Sequence, residues 1–457
     1  MAENKRIASE ETLVRVAEAL ETMAASQAVD LASPRTWGEV QSIVRSGLAT
    51  KVFSIGDQFV VERASSASAT VAGTGVTSAT VTMITFINKL GYVRSGLYDF
   101  EYNGAVWTYA GEPVTLSQYG ITASGTAAKG DHIVVSLATT DVVFDVIGID
   151  HDIPSDAQFT HSLTLGMHDL YTSAVQFDGT EALFYCETEL AAGTYNFTLL
   201  AGYDTTYGGG KTYQFTLTSA VPAGGVIMFP WSYQKQASTV LISTYATVET
   251  TTAIESVSVT EGTGGTALET LGECNHTHRI RYGSNNYNES AIRQWMNSDG
   301  AKGTFWTHKT NYDRPPTWNT TLDGFLYGLD KSFVDAVGAV KKLTALNTLT
   351  DNTDASYVET DEKFFLFSND ELYFATENGV DQGEPYAYYK NYSTLAAAGS
   401  GADSNRTKYR NGSATYYWMR SPHPWNAYDV RLVNPDGSLN VSTANGSHGA
   451  APACCIV

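Results

Sequence analysis

The sequence contains few cysteines and no long apolar run. Its four cysteines show no metal-ligand spacing, which predicts buried thiols made in a reducing cytoplasm and no disulfide framework. The N-terminus, MAENKRIASEE, is polar throughout and predicts no signal peptide. No apolar stretch approaches the roughly 18 residues that span a membrane. We therefore expect no membrane insertion.

Basic residues are also scarce. The chain has 28 Lys and Arg against 48 Asp and Glu, a formal net charge of -20 and a pI near 4.8. Nucleic acid and anionic membrane surfaces repel such a chain at long range, so neither is an expected partner. Solubility is the simplest consequence of this charge.

The residues that are present predict a folded protein of several domains. At 457 residues the chain is too long for one core, and about three domains are expected. With 27 Tyr, 40 Gly and only 17% charged residues, the composition is typical of β-rich proteins with many turns. The fold should therefore be mainly β.

The last 32 residues, from Asn426 to Val457, lack five residue types. They contain no Lys, Glu, Gln, Met or Trp, although these types make up 63 of the 457 residues. Randomising the adenines of an Asn codon leaves a pyrimidine in the third position, and codons that end in a pyrimidine encode none of the five. Adenine mutagenesis would leave this absence, and so would an ordinary turn region rich in Asn, Ser and Gly.

The C-terminal segment alternates apolar anchors with polar turns. Residues 416–419 are apolar and aromatic, NPDG at 434–437 predicts a hairpin turn, and residues 453–457 form a short apolar strand. The positions between are mostly Asn, Ser, Thr, Gly, Asp, His and Tyr, which binding loops favour. This pattern predicts a binding surface of polar turns that is held between apolar segments.

Three motifs mark the segment: YWMRSP at 417–422, VNPDGS at 433–438 and GAAPA at 449–453. They resemble the W-x-R-S-P, V-x-x-D-G and G-x-x-P-A motifs of C-type-lectin-like domains of the formylglycine-generating-enzyme type. Upstream, SAIRQWMN at 290–297 resembles the S-x-x-R-x-W-L-N helix of that family, and KFFLFS at 363–368 its following strand. Ala450 and Ala451 depart from the family, which usually has a bulkier residue and an Arg there.

The resemblance covers residues 274–457 and implies a fold class and a function. The expected class is mainly β with an α+β C-terminal domain, a C-type-lectin-like fold with inserted β-modules and a short N-terminal oligomerisation helix. In many such domains of phage and bacterial surface proteins, a diversity-generating retroelement rewrites adenine positions and varies a ligand-binding face.

Ligand contact is expected at positions next to turns whose residue types can be encoded by codons that end in a pyrimidine. Tyr428 and His423 are the expected anchors, because aromatic rings supply most contact energy at such surfaces. The full candidate set is His423, Asn426, Tyr428, Asp429, Leu432, Asn434, Asn440, Ser442, Asn445, Ser447 and His448. The expected scaffold consists of Trp418, Met419, Arg420, Trp425, Gly437 and Pro452. Trp and Met have no codon that ends in a pyrimidine, and Gly and Pro set the turns.

Five segments are expected along the chain. They are N-terminal helices at 1–50, a small β-module at 51–138, the first part of the lectin-like core at 139–175, an inserted β-sandwich at 176–262 and the ligand-binding domain at 263–457. Within them, residues 51–62 are expected as a strand and 64–86 as an exposed hairpin or linker.

Two helices are predicted at the N-terminus. The apolar stripe from Leu13 to Met23 predicts a helix that joins copies of the chain, as a homotrimer, docks on a virion partner or packs on its own domain. Thr36 and Glu39 predict a capping box that starts a second helix.

No metal, cofactor or enzymatic activity is expected. His151, His161 and His168 lack a known ligand spacing, and a structural role is favoured. The C-terminal face has only Asp429 and Asp436 as acids, too few for calcium. Oxidases that resemble this family need a redox cysteine pair or a three-His iron site, and neither accompanies the motifs.

The favoured function is a receptor-binding protein at the tip of a phage tail fibre. Its expected partners are a host cell-surface protein or glycan and other virion tail proteins, and lysis would release it without a signal peptide. The alternative is a bacterial surface adhesin or a capsid decoration protein of the same fold, also diversified by a retroelement.

Overall fold

A computed structural model gives the fold of most of the chain. It describes residues 36–180, 184–186, 188–198, 211–223, 225–228, 239–244, 253–268, 282–307, 309, 313, 315–346, 357–377, 379–390, 401–424 and 427–457. The chain is mainly β, as the composition predicts. The stripe from Leu13 to Met23, Cys274 and the pair Trp425 and Asn426 lie outside the described residues.

Two short helices precede the first strand: α1 (Trp37–Arg45) and α2 (Ala49–Val52). The predicted capping box is confirmed, because Thr36 Oγ1 accepts from the Glu39 N–H and Glu39 Oε2 accepts from the Thr36 N–H. Residues 51–62 are only partly a strand. The prediction was wrong at its start, where α2 continues to Val52 and the strand begins at Gln58.

A small β-module follows. Its elements are β1 (Gln58–Ala72), β2 (Val76–Val81), α3 (Met83–Leu90), β3 (Gly96–Tyr102), β4 (Trp107–Tyr109), β5 (Glu112–Val114), a 3-10 helix at Leu116–Tyr119, β6 (Ile121–Gly125) and β7 (His132–Ile149). The expectation of an exposed hairpin or linker at 64–86 was wrong for α3. Phe86 and Ile87 of that helix are buried in the module, and Phe86 packs edge-on against Tyr98.

Asp131 fixes the turns of this module. Its carboxylate accepts the backbone N–H groups of Thr74, Gly75, Val76 and Ala128, at 2.8–3.2 Å. Four donors on one buried carboxylate hold the β1–β2 turn against the turn before β7.

Strand β7 joins this module to the rest of the protein. It pairs with β1 along its length, from Gln58 opposite Asp145 to Ala72 opposite His132. The expected boundary between residues 138 and 139 therefore falls inside one continuous strand. Two further strands follow: β8 (Leu163–Met167) and β9 (Val175–Gln176).

The next segment forms a second β-module with its own core. Its strands are β10 (Phe184–Tyr185), β11 (Gly193–Thr198), β12 (Thr212–Leu217), β13 (Gly225–Met228), β14 (Thr239–Thr244), β15 (Ala253–Ser258), β16 (Thr260–Glu261) and β17 (Thr266–Ala267). Among the described residues they form two four-stranded sheets, ordered β10-β13-β14-β15 and β16-β12-β11-β17. Phe197 and Phe215 lie in a hydrophobic cluster separate from the main core.

The C-terminal part contains two short helices and the remaining strands. They are α4 (Ala291–Met296), α5 (Lys331–Ala336), β18 (Val337–Gly338), β19 (Val340–Ala345), β20 (Tyr357–Glu362), β21 (Phe364–Phe365), β22 (Tyr409–Arg410), β23 (Ser413–Ala414), β24 (Tyr417–Pro422), β25 (Asp429–Val433), β26 (Leu439–Thr443), β27 (Ser447–His448) and β28 (Ala453–Ile456), with 3-10 helices at Ala387–Tyr389 and Ser404–Arg406.

The central sheet combines distant parts of the chain. In the described residues it has nine strands in the order β18-β28-β8-β7-β3-β4-β5, with β1 also beside β7 and β21 beside β28. Strand β28 pairs with β8, so Cys454 faces Leu165 across nearly 300 residues of sequence. The main hydrophobic cluster runs accordingly from Val40 of α1 to Val457.

None of the described helices is both long and apolar enough to cross a membrane.

Candidate ligand-binding site

Trp418 anchors the C-terminal sheet of β24, β25 and β26 to the main core. Its side chain is 1% exposed, and its Nε1–H donates to the Val175 carbonyl at 2.8 Å. The ring meets the Phe177 ring edge-on at 5.8 Å between centroids. The sheet is thereby tied to a segment 243 residues earlier in the chain.

Arg420 is the second fixed point of this sheet. Its fully buried guanidinium donates to Glu371 Oε2 at 2.5 Å and to the carbonyls of Leu343, Leu366 and Gln382. Burial alone would lower the pKa of Arg420, but the Glu371 carboxylate outweighs burial and raises it. The cation therefore stays charged and fully satisfied.

Lys342 extends this pair into a balanced buried network. Its Nζ lies 2.8 Å from Glu371 Oε1, 2.5 Å from Asp152 Oδ1 and 2.7 Å from the Tyr386 hydroxyl. Burial acts to raise the pKa of Asp152, but Lys342 outweighs it and lowers the pKa to about 2. None of these four charged side chains is more than 6% exposed. The network is therefore part of the scaffold and is closed to a ligand.

The register of β25 and β26 divides the candidate residues between the two faces of the sheet. Asn440 lies opposite Leu432 and Ser442 opposite Val430, whereas Asp429 lies opposite Thr443. Because residues opposite each other point to the same side, Asn440 and Ser442 share one face and Asp429 lies on the other. The candidates in these strands do not form one face.

Leu432 is removed from the candidate set. Its side chain is 1% exposed and belongs to the main hydrophobic cluster, so it has no surface to offer a ligand. Codons that end in a pyrimidine can encode Leu, and this is why the sequence pattern alone could not exclude Leu432. No structure is described for the candidate Asn426.

His448 and Ser442 form one cluster, with Tyr416 beside them. His448 Nε2 lies 2.9 Å from Ser442 Oγ, and its ring lies 4.7 Å from the Trp418 ring and 5.8 Å from the Tyr416 ring. Burial first and the charge of Arg410 second lower the pKa of His448 to about 4. The imidazole is therefore neutral near pH 7. Ser447, next to it, is exposed.

Arg410 of the β22–β23 hairpin contributes a cation to this cluster. Its Nη1 is buried and has no hydrogen-bond partner among the residues that the structure describes, and the side chain makes no ion pair with a described acid. Tyr409 beside it is 46% exposed and Tyr416 is 40% exposed. None of the three was predicted as a ligand contact, because all three precede the segment with the unusual composition.

Tyr428 and Asn445 form a second cluster together with Tyr282. The rings of Tyr282 and Tyr428 stack with centroids 5.2 Å apart, and the Asn445 N–H donates to the Tyr282 carbonyl at 2.8 Å. Both candidates are half-buried. Tyr282 was also missed, because its partner is more than 140 residues away in sequence.

His423 and the hairpin asparagines complete the described set. The His423 N–H donates to the Asp429 carbonyl, and burial followed by Arg431 lowers the pKa of the His423 imidazole to about 4. Asn440 Nδ2 donates to Asn434 Oδ1 at 2.7 Å. The candidates His423, Asp429, Asn434 and Asn440 are all half-buried.

The expected scaffold residues that the structure describes are buried. Met419 is fully buried, and Pro452 is buried as well. Gly437 has a φ of +80°, and a Cβ there would lie 1.8 Å from the Asp403 carbonyl oxygen. Only glycine fits this position without displacing the backbone of the neighbouring loop.

The histidines singled out in the sequence are held separately. His161 Nδ1 lies 3.0 Å from Asp150 Oδ1, His168 Nδ1 lies 2.8 Å from Asp145 Oδ2, and the His151 ring packs against the tilted Tyr386 ring with centroids 4.2 Å apart. In the described part of the chain, no group of three or more His, Cys, Asp or Glu side chains is placed to hold a metal ion.

Comparison with known proteins gives one match. Residues 239–457, just under half of the chain, are similar to a family described as a domain of unknown function, DUF6273. The match includes the C-terminal sheet and β18, β21 and β28 of the central sheet, but not the other six described strands of that sheet. Neither the search of curated proteins nor the search of solved structures found a match.

Proposed function

We propose that this chain is a receptor-binding protein of a phage tail fibre, and that its C-terminal domain has the C-type-lectin-like fold. The observation that carries the proposal is the contrast within one small sheet. Trp418 and Arg420 are buried and fixed by the main core, while Tyr428, Ser442 and Asn445 are half-exposed around the adjoining turns. Such a frame tolerates changes in the residues that it displays.

The proposed binding surface consists of the His448 cluster and the Tyr428 cluster. The turn of residues 443–448 joins them, because the Asn445 N–H bonds the Tyr282 carbonyl and the Gly446 N–H bonds the Thr443 carbonyl. Stacked tyrosines supply rigid apolar contact, and the Asn and Ser side chains supply hydrogen bonds. The proposed ligand is a protein or a glycan of the host surface.

A homotrimer is part of the proposal. It rests on the stripe from Leu13 to Met23, which is too short to be stable as an isolated helix. Light scattering on the full chain and on a chain without residues 1–30 tests it. We expect three copies for the first and fewer for the second, and a monomer in both would contradict the trimer.

The alternative is a bacterial surface adhesin or a capsid decoration protein with the same face. Immunogold labelling with an antibody to this chain tests the proposed location. Gold at fibre tips supports the proposal, whereas gold on the capsid or on bacterial cells favours the alternative. A neighbouring reverse transcriptase gene, with an imperfect repeat of the 3′ end of this gene, would support variation of the face in either case. We propose no enzymatic activity and no cofactor.

A further inference from the structure

A cleft of about 500 Å³ lies between α4, the segment that follows it and the end of β20. This volume is within the range of about 300–1,000 Å³ that small-molecule sites occupy. None of the candidate residues of the C-terminal sheet lines it. The cleft is therefore a feature separate from the proposed receptor-binding surface.

The charge of the cleft differs from that of the chain. Three of its ten lining residues are basic and two are acidic, whereas the whole chain has 28 basic and 48 acidic residues. Arg293 is already paired, because its Nε and Nη2 each lie 2.8 Å from Oε1 of the buried Glu362. The remaining acid, Asp361, accepts from the Ser155 hydroxyl at 2.6 Å.

Lys309 and Lys363 are the two cations left. Both are exposed, and neither ammonium group has an acceptor among the described residues. The bond from Ser155 does not neutralise Asp361, so the three basic and two acidic lining residues give the cleft a net charge of +1, which attracts an anion locally in a protein with a net charge of -20.

The floor of the cleft is polar and rigid. Asn297 donates to the Arg293 and Phe364 carbonyls and accepts from the Phe364 N–H, so its amide is fixed. Gln294 Oε1 accepts from the backbone N–H and the hydroxyl of Thr307. Gln294 Nε2 is buried and has no acceptor in the described part of the chain, which costs free energy that an incoming oxygen would recover.

One wall is aromatic. Phe305 stacks on Trp318 with ring centroids 5.1 Å apart and an interplanar angle of 15°, which holds its ring in place. A simple inorganic anion would use the lysines but neither the amide floor nor this ring. A sugar ring presents hydroxyl groups to amides and C–H groups to an aromatic wall.

We propose that this cleft is a second binding site, and that it takes a sugar unit bearing a negatively charged group. The carboxylate or sulfate of the sugar lies between Lys309 and Lys363, and its hydroxyls bond the floor at Gln294. The floor is already ordered by its own hydrogen bonds, so binding loses little side-chain entropy there.

Isothermal titration calorimetry on the full chain tests this site. The probes are trigalacturonic acid for carboxylate, a sulfated chondroitin disaccharide for sulfate, neutral maltotriose and sodium sulfate. We expect at least one acidic sugar to bind about tenfold or more tightly than maltotriose and sodium sulfate, with an affinity that falls as salt rises. If neither acidic sugar binds the folded chain at millimolar concentration, or if sodium sulfate or maltotriose binds equally well, the proposal is overturned.

A matched pair of double variants locates the site. Lys309→Gln with Lys363→Gln is expected to weaken binding about tenfold or more, because each lysine makes a charge-assisted bond. Lys51→Gln with Lys129→Gln changes the net charge equally at exposed positions outside the cleft and is expected to leave affinity unchanged. Equal affinity in both variants, with unaltered circular dichroism, would place the sugar elsewhere and contradict the proposal.

Discussion

Arg420 and Glu371 form an ion pair of 2.5 Å, between Nη1 and Oε2, in which neither side chain is more than 3% exposed. Glu371 also binds Lys342, so its carboxylate holds β24 and β19 together. Burial would raise the pKa of Glu371, but Arg420 and then Lys342 outweigh burial and lower it. The receptor-binding surface that we propose is displayed on this ion-paired frame.

Breaking this pair should be costly. Glu371→Gln leaves Arg420 buried without its counter-charge and leaves Lys342 with Asp152 alone, and we expect the free energy of unfolding to fall by about 3–5 kcal/mol. Denaturant unfolding measures the change. Glu359→Gln is the control, because its bond to Lys341 is about half exposed and is worth at most about 1 kcal/mol. Equal losses in the two variants would argue against a fixed frame.

Trp418 should be essential to stability. Trp418→Ala opens a cavity beside Phe177 and removes the bond to Val175, so we expect a loss of about 3–5 kcal/mol. Tyr416→Ala, at a neighbouring position that is 40% exposed, should cost much less. A thermal or denaturant melt of both variants checks this, and a Trp418→Ala chain as stable as the Tyr416→Ala chain would refute it.

Replacing Leu432 should cost much more stability than replacing Asn440, although the two residues face each other across β25 and β26. Leu432→Ala empties core volume and should cost about 2–5 kcal/mol. Asn440→Ala removes a half-buried bond to Asn434 and should cost about 1 kcal/mol or less. Comparing the two unfolding curves tests whether the core really ends at this pair.

His448 should make stability depend on pH. Its pKa is about 4 in the folded chain and about 6.5 in the unfolded chain, so the unfolded state binds more protons between these values. The contribution of His448 to the free energy of unfolding is therefore fully present above about pH 6.5. It is lost as the pH falls towards 4, by on the order of 1–2 kcal/mol after solvent screening.

His448→Asn should flatten the difference between unfolding curves at pH 4 and pH 7. His132→Asn is the control, because hydrogen bonding to Asp99 raises the pKa of His132. A raised pKa gives stability that is present at low pH and lost as pH rises through the folded pKa, the opposite sign. If His448→Asn shows the same loss of stability between pH 7 and pH 4 as the unaltered chain, the His448 imidazole is already solvated in the folded chain.

The frame was predictable from sequence, but the arrangement of the surface was not. The motif around Trp418 and Arg420, the Thr36 capping box and the hairpin turn at 434–437 are local patterns, and the structure has each. The partner of Arg420 lies 49 residues away, so only the fold identifies it. Asn440 and Leu432 could not be separated, because the assignment of a face depends on which strands pair and in what register.

Two features of the fold explain why these residues were not predicted from the sequence. Helix α3 is only eight residues long, too short for its apolar period to stand out beside the alternating strands around it. Arg410 and Tyr282 belong to the surface only because the fold brings them to His448 and Tyr428. A composition bias within one segment identifies that segment and none of its neighbours in space.

The most direct test of the proposed function compares binding by two quadruple variants. Tyr428→Ala, Asn445→Ala, Ser442→Ala and Ser447→Ala alter the proposed surface. The control variant, Tyr102→Ala, Thr122→Ala, Ser124→Ala and Ser136→Ala, likewise replaces one Tyr and three small polar residues, but in the small β-module. Fluorescently labelled full chains are applied to a panel of intact bacterial strains and to an array of immobilised glycans. We predict that the unaltered chain binds at least one target, that the control binds it equally, and that the surface variant loses it with a nearly unchanged melting temperature. A folded surface variant that binds as tightly as the unaltered chain, or an unaltered chain that binds nothing on either panel, would contradict the account.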